Sequence, residues 1–503
     1  MDATTQTEGV LAASVPARDT RSLALVAQVL GWAAWVGLVG WKLGSVPGMH
    51  MDEAWYILST RGQWESDNPL SGLTSYAGPF PLLLLKLFGT NSGLLVLRVA
   101  SLLANGLTLV LLAVMLGHLY PARVLRCWAL PLIATTPVWL VTIRTAFEIS
   151  IFTPLLSVLG LFLLTLGAGW SAFAAGLSWG LLVYNHLIGA YFPMSLLLAW
   201  LVVYRRLPRI QWLPALAGFG LGIAPRLFAV ALYRKPLDPA SSAGHYSFAA
   251  GVADLKELPL ALWETLLGRT VYIGSAGRLA VDVWPYWAPL ALLFFLPWVR
   301  RLRSVPKHAW FTLITAMIFA GLATVGSPYM GVRFFILWGI GIATFLVQLG
   351  ASAIQLSLWW SYAMRAAAGA LVACNLFYLV SNFYVPWHKR ELGISFFRLG
   401  ARSPYTSTWG YLPKEGIEQK LRTLEPPPEQ ILSNASLNRP LRALLGDTGI
   451  RIRTWDEADK SLRTVYVEYN YGNIPARPCL PVPNGTMCFR KPEIVDQYFV
   501  LYR

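Results

Sequence analysis

Charge is what this chain has least of. Asp, Glu, Lys and Arg make up 13% of its 503 residues, about half the share of an average soluble protein. Hydrophobic residues make up 55%, and mean hydropathy is +0.51. One large soluble core is thereby excluded, because apolar runs recur from Ser22 to Pro386 and a run of about 20 apolar residues is long enough to span a bilayer. Acidic residues are scarcer than basic ones, 25 against 41, for a net charge of +16. That sign alone would suit a nucleic-acid binder, but its distribution does not. The basic residues sit in short gaps between apolar runs: Arg18 and Arg21; Arg123 and Arg126; Arg205, Arg206 and Arg209; Arg300, Arg301, Arg303 and Lys307. Alternating spans put these gaps on one side, which the positive-inside rule makes cytoplasmic. Lipid head groups then account for the charge, and no nucleic acid is expected. Cysteine is scarce too, with four in the chain, which excludes a disulfide-dense scaffold. No Cys/His grouping has structural zinc spacing. A P-loop, a Rossmann glycine pattern and a Gly-x-Ser-x-Gly elbow are all lacking.

What is present is a polytopic helical membrane protein. The spacing predicts spans near 22–45, 92–117, 127–143, 149–168, 171–186, 187–204, 210–232, 284–299, 309–327, 332–350 and 366–386. That is about eleven, or about thirteen if 50–91 and 351–365 hide further helices. The first run is too long for a signal core and lacks a convincing cleavage site, so it reads as a retained span. The expected organisation is a cytoplasmic tail at 1–21, a membrane domain at 22–386 with outer loops 46–91 and 233–283, and an outer segment at 387–503. In that last segment composition turns ordinary, and helices near Lys414–Leu424 and Leu437–Leu445 interleave with strands near Gln430–Ser433, Arg451–Trp455, Thr464–Tyr469 and Tyr498–Tyr502. A small α/β domain follows from that pattern. Cys127 and Cys374 fall in predicted spans as apolar fillers. Cys479 and Cys488 flank a hairpin-like loop, and an oxidising outer compartment favours a disulfide there, worth roughly 2–3 kcal/mol on the chain-entropy model.

The chemistry-bearing residues begin with Met49-His50-Met51-Asp52-Glu53-Ala54-Trp55-Tyr56, just beyond the first span. Adjacent acids at a membrane surface point to function unless they are simply solvated or cap a helix. Arg144 and Glu148 stand four apart where two spans meet, either an ion pair or an anion site oriented by a carboxylate. His186 ends the Tyr184-Asn-His186 junction and is either structural or a contact for sugar or phosphate. Arg333 either snorkels or binds phosphate bidentately. Trp55, Tyr56, Trp64 and Tyr76 serve as an interfacial belt or as faces for a sugar or isoprenoid.

Together these motifs resemble the GT-C fold glycosyltransferases, in particular the protein O-mannosyltransferase and lipid A aminoarabinose transferase group. Asp52-Glu53-Ala-Trp-Tyr56 resembles the family's Asp-Glu signature, and Gly78-Pro-Phe-Pro to Gly89 followed by Leu97-Arg98 resembles its first loop and second-span entry. Arg144 with Glu148, His186 and Arg333-Phe-Phe resemble later motifs in the same order. The chain departs from the family at Ala77-Gly78-Pro79-Phe80-Pro81, where relatives often carry Lys-Pro-Pro, so Lys86, Arg61 or Arg333 would have to meet the donor phosphate.

The resemblance implies transfer of a sugar from a polyprenyl-phosphate donor to an extracytoplasmic acceptor in a cell envelope, with the bacterial inner membrane as the expected location. Asp52 would be the general base, Glu53 its support, and Arg144 and Arg333 the phosphate ligands. A divalent cation, Mg or Mn, stays open, with Asp52 and Glu148 as its ligands if it binds. Two other readings stay open: a transporter or lipid-handling protein with an outer sensing domain, and an outer-face polymer ligase or polymerase using a diphosphate donor.

Overall fold

The computed structural model describes residues 17–45, 48–61, 79–89, 93–120, 130–144, 146, 151–233, 248–256, 258–259, 262, 305–326, 336–353, 358–383, 414–433, 435–469, 479–483, 485–489, 492–495 and 499–503. The chain divides into two units, Met1–Trp41 and Lys42–Arg503. The first holds helix α1 (Ala17–Gly40), on which Trp32 and Trp35 meet edge to face at 5.7 Å.

In the second unit the first predicted loop contains two ten-residue helices, α2 (Met51–Thr60) and α3 (Pro79–Phe88). α4 (Gly93–Gly117) is a 25-residue apolar helix. The single span expected at 127–143 is instead broken into α5 (Leu130–Thr135) and α6 (Pro137–Arg144). Pro137 has no N–H to continue the ladder, and its ring opposes helical geometry in the preceding residue. Thr136 takes the break, its hydroxyl on the Ile133 carbonyl at 3.0 Å and its own carbonyl accepting from Leu140 at 2.9 Å.

α7 (Thr153–Thr165), α8 (Gly169–Asn185), a short 3₁₀ turn (Leu187–Ala190), α9 (Tyr191–Tyr204) and α10 (Trp212–Tyr233) follow. α7 is 13 residues long, shorter than the span expected at 149–168. Then come α11 (Phe248–Asp254), α12 (Lys307–Gly326), α13 (Ile336–Ala353) and α14 (Leu358–Phe383). The span expected at 284–299 lies outside the described residues. Among the described residues, Gly93–Gly117, Leu187–Tyr204 and Lys307–Gly326 are long and apolar enough to cross a membrane, and six shorter helical stretches are apolar. α8 and α10 pack backbone to backbone through paired small residues. A Cβ on Gly176 or Gly180 would meet the Ala215 or Phe219 carbonyl, and one on Gly218 or Gly222 would meet the Phe173 or Leu177 carbonyl.

The C-terminal segment adds α15 (Glu415–Arg422), β1 (Gln430–Ser433), α16 (Ala435–Leu445), β2 (Arg451–Arg453), β3 (Thr464–Tyr469), β4 (Cys479–Val482), β5 (Gly485–Cys488), β6 (Pro492–Ile494) and β7 (Phe499–Tyr502). Five strands form one sheet in the order β2-β1-β3-β7-β6. β1 pairs in parallel with β2 and β3, and β7 runs antiparallel to β3 and β6. The strand period of two sorts its faces. Ile431, Val465, Val467, Phe499 and Leu501 meet Ile417 and Leu421 of α15 and Leu437 and Leu441 of α16. On the other face Leu432, Tyr466, Phe489, Val500 and Tyr502 cluster, and the Tyr466 and Tyr502 hydroxyls donate to the two Glu468 carboxylate oxygens at 2.8 and 2.7 Å. β4 and β5 form a separate hairpin in which Cys479 faces Cys488, and the two are disulfide-bonded.

This α/β layer seats directly on α2. Ala443 of α16 shares a buried cluster with Met49, Ala54, Ile57 and Leu58, and Arg61 donates from Nη1 to the Ala443 carbonyl at 2.9 Å.

Candidate active site

The site is built from the N-terminus of α2. His50 caps the helix, its carbonyl accepting from the Ala54 N–H at 2.9 Å. Glu53 therefore occupies the third helical position, and its Oε2 reaches back to accept the His50 N–H at 2.9 Å. This is the carboxylate half of a capping box. Three more donors complete the set. Arg98 of α4 gives Nε to Oε1 at 2.8 Å and Nη2 to Oε2 at 2.7 Å, a bidentate fork. The Ala146 N–H gives to Oε1 at 2.9 Å.

Each carboxylate oxygen thus accepts two hydrogen bonds, and both side chains of the pair are fully buried. Arg98 also donates to the Leu43 and Gly48 carbonyls at 3.0 and 3.1 Å. One carboxylate consequently ties together the 43–50 segment, α2, α4 and the chain leaving α6. Burial pushes the Glu53 carboxyl up, but the Arg98 charge, its fork and the two backbone donors outweigh that and hold it below its ordinary value. A buried ion pair is tolerable only when its remaining hydrogen-bonding capacity is filled in this way.

Asp52 takes the second position of α2, one residue before Glu53. Neighbouring helical positions lie about 100° apart around the axis. The Asp52 side chain, Glu148 and Arg333 lie outside the described residues. Arg144, the last residue of α6, is fully buried and two positions before the Ala146 N–H that binds Glu53. The chain leaving it therefore reaches the acid helix at Ala146.

His186 ends α8 and is also buried, its Nδ1 accepting the Ile188 N–H at 3.2 Å. An accepting Nδ1 leaves Nε2 as the protonated nitrogen of the neutral ring. The same end of the bundle gathers Asn185, whose Nδ2 lies 3.5 Å from Thr153 Oγ1, and Phe80, edge to face with both Phe152 and Tyr184 at 5.5 Å. Tyr56 is fully buried in the cluster beneath α2 and meets Trp55 at 4.9 Å. Arg61 binds the α/β layer, as described above. Lys86, in the last turn of α3, is exposed and is not gathered around Glu53. Among the described residues no three His, Cys, Asp or Glu side chains come together as a metal site.

Three basic residues of this region escaped the sequence reading as site residues. Arg98 passed only as part of a Leu-Arg motif, although a charge inside a 25-residue apolar helix is itself a signal. Arg226 follows Pro225 within α10, is fully buried, and donates to the Tyr184 carbonyl at 3.1 Å. Lys414 comes from the far end of the chain, is 2% exposed, and donates from Nζ to the Met49 carbonyl at 2.7 Å. Burial pushes its ammonium down to about 7, with the Glu53 carboxylate opposing that shift and the Arg98 charge adding to it.

Apolar spans gathered under a polar cluster at one end, with an α/β layer seated on that cluster, define an integral membrane protein resembling the GT-C glycosyltransferases in fold. A crystal structure of ArnT from Cupriavidus metallidurans bound to undecaprenyl phosphate matches 96% of this chain and 98% of its own, with a TM-score of 0.51 at 13% identity. The apo state of the same protein gives 0.48 at 12% identity over the same shares. No protein-family model and no curated protein matches the sequence. At such identity the likeness is one of fold, and it runs the length of the chain.

Proposed function

We propose that the chain is a membrane glycosyltransferase that moves a sugar from a polyprenyl-phosphate donor to a hydroxyl-bearing acceptor at the extracytoplasmic face of a bacterial inner membrane. The observation that carries this reading is the acid helix α2, locked by Glu53 and Arg98 at one end of an apolar bundle beside the buried Arg144. The full-length likeness to ArnT, crystallised with undecaprenyl phosphate, supports the donor class.

In the proposed step the acceptor oxygen attacks the anomeric carbon, and its proton passes to the Asp52 carboxylate. The anomeric C–O bond to phosphate breaks, and polyprenyl phosphate leaves with the bonding electrons. Arg144, and Arg333 with it, would stabilise the charge that develops on that phosphate, where guanidinium geometry matches the oxygens. Glu53 holds the helix that carries Asp52 and takes no proton. His186 would contact the sugar or phosphate through Nε2, the ring nitrogen not engaged with the Ile188 N–H.

The test is transfer from radiolabelled polyprenyl-monophosphate sugar by purified protein in nanodiscs. Release of polyprenyl phosphate with labelled product is expected, as is a loss of about 10²–10⁴-fold in Asp52→Asn with folding retained. Translocation of intact donor would point to a transporter, and turnover of a diphosphate donor alone to a polymer ligase. Wild-type turnover in Asp52→Asn would remove Asp52 as the base.

A further inference from the structure

Lys414 breaks two local rules. It is the N-cap residue of α15, its carbonyl accepting the Glu418 N–H at 2.9 Å, yet its side chain makes no capping bond. Short oxygen-bearing side chains are preferred there, and a cation opposes the positive end of the helix dipole. Lysine is also the residue type least often buried, and here it is 2% exposed. A residue wrong for its own helix is usually in place for something else.

That something is across the fold. Its Nζ donates to the Met49 carbonyl, immediately before the His50 cap of the acid helix. Arg98 holds the neighbouring Gly48 carbonyl at 3.1 Å, and Glu53 holds the His50 N–H. Two successive peptide groups are thus held by charged side chains, 48–49 through its carbonyl by Arg98 and 49–50 through its carbonyl by Lys414 and its N–H by Glu53, and the Lys414 contact comes from 365 residues away. The layer that carries Lys414 is anchored to the other end of the same helix by Arg61 on the Ala443 carbonyl at 2.9 Å. Both ends of α2 are therefore gripped from the C-terminal segment.

We infer that Lys414 is a positioning residue for the acid helix, and that the C-terminal α/β layer is through it a working part of the catalytic centre rather than an appended domain. The ammonium fixes the peptide at Met49, hence where α2 begins and where the Asp52 backbone is set. A misplacement of about 1 Å in a catalytic group is enough to cost about 10²-fold.

The kinetic arm rests on the transferase reading, so the experiment carries a second readout that does not. Lys414→Met keeps length and apolar stem and removes the donor, while Lys414→Arg keeps a cationic donor. Hydrogen exchange of the full-length protein is followed in peptides covering 48–58 and in the strands at 430–433 and 464–469. In Lys414→Met the 48–58 amides should exchange about tenfold faster with the strands unchanged, and turnover should fall about tenfold or more at a donor KM within about twofold of wild type. Lys414→Arg should recover most of both. Unchanged exchange at 48–58 overturns the inference whatever the activity. Loss of protection in the strands as well overturns it too, because Lys414 would then be holding its own layer together. A wild-type protein that transfers no sugar sinks the transferase reading and leaves the exchange result to decide the role of Lys414.

Discussion

Glu53→Gln is the sharpest perturbation the structure offers, because the amide has the carboxylate's shape. The carboxylate takes two hydrogen bonds on each oxygen, from Arg98 Nε and the Ala146 N–H on one and from Arg98 Nη2 and the His50 N–H on the other. Glutamine keeps one of those oxygens and turns the other into an NH₂. Whichever way the amide is oriented, that NH₂ faces one Arg98 nitrogen and one backbone N–H, donor against donor. Two bonds to a charged acceptor are lost, at about 1.5–3 kcal/mol each, and Arg98 is left buried without its counter-charge. Removing one member of a buried pair costs about 3–5 kcal/mol by direct comparison. The two routes agree, and the loss is a large part of a typical stability of about 5–15 kcal/mol.

The assay is unfolding of detergent-solubilised protein followed by tryptophan fluorescence for wild type, Glu53→Gln, Arg98→Met and the double variant. The double variant buries no unpaired charge, so it should cost at least about 2 kcal/mol less than the sum of the singles. pH gives an independent check. A carboxyl held low in the fold contributes stability that is present above its unfolded pKa of about 4.3 and is lost as pH falls through the lower folded value. The gap between wild type and Glu53→Gln should therefore be full at neutral pH and close only in strong acid. A cost below about 1 kcal/mol, or singles that add, would refute the clamp.

Arg144→Ala should weaken donor use by about tenfold or more, equivalent to about 1.4 kcal/mol, with the acceptor KM little changed; steady-state kinetics varying each substrate separately checks this. Gly180→Leu should separate α8 from α10, since even a Cβ there meets the Phe219 carbonyl; a lower thermal midpoint and loss of monodispersity are expected, whereas Gly220→Leu, where a Cβ meets nothing within 4 Å, should be tolerated. For Lys414, whose folded value of about 7 lies below its unfolded one, the fold carries the full cost of a buried cation below pH 7 and is relieved of it as pH rises toward the unfolded value. Wild type should gain stability relative to Lys414→Met between pH 7 and about 10, with Glu53, Arg98 and Glu415 as the charges that set the size of the effect.

The α/β elements were the most legible part of the chain. Gln430–Ser433 and Thr464–Tyr469 fall where the strand signals placed them, because short apolar, β-branched and aromatic runs between turn residues mark a strand even when both of its faces are buried. The membrane part was legible in composition and less so in detail. The break at Thr136 follows from Pro137, a signal present in the sequence but overridden by the apolar run around it. Further helices within 50–91 were an open alternative in the sequence, but the bounds of α2 and α3 were not legible, since ten residues are too few for hydropathy to register. In the candidate site the acid helix was visible as a motif, whereas its supports were not. Arg98 lies 45 residues from Glu53 and Lys414 lies 365 from Met49, and no local pattern can join residues so far apart.

The pairing of Asp52 with Glu53 is also clearer in three dimensions than as a motif. Two adjacent acids suggest shared chemistry, such as a dyad or a metal clamp. A carboxylate that already accepts four hydrogen bonds, two of them from a buried guanidinium, has no lone pair aimed at an incoming hydroxyl. It could take a proton only by breaking one of those bonds and stranding Arg98. Its lowered pKa points the same way, since a weak base is a poor proton acceptor near neutral pH. Proton transfer by this helix would therefore fall to Asp52, one position earlier and about 100° around the axis. Under the proposed function the motif would then divide its labour by helical geometry: the second acid builds the platform, and the first would be left for the substrate.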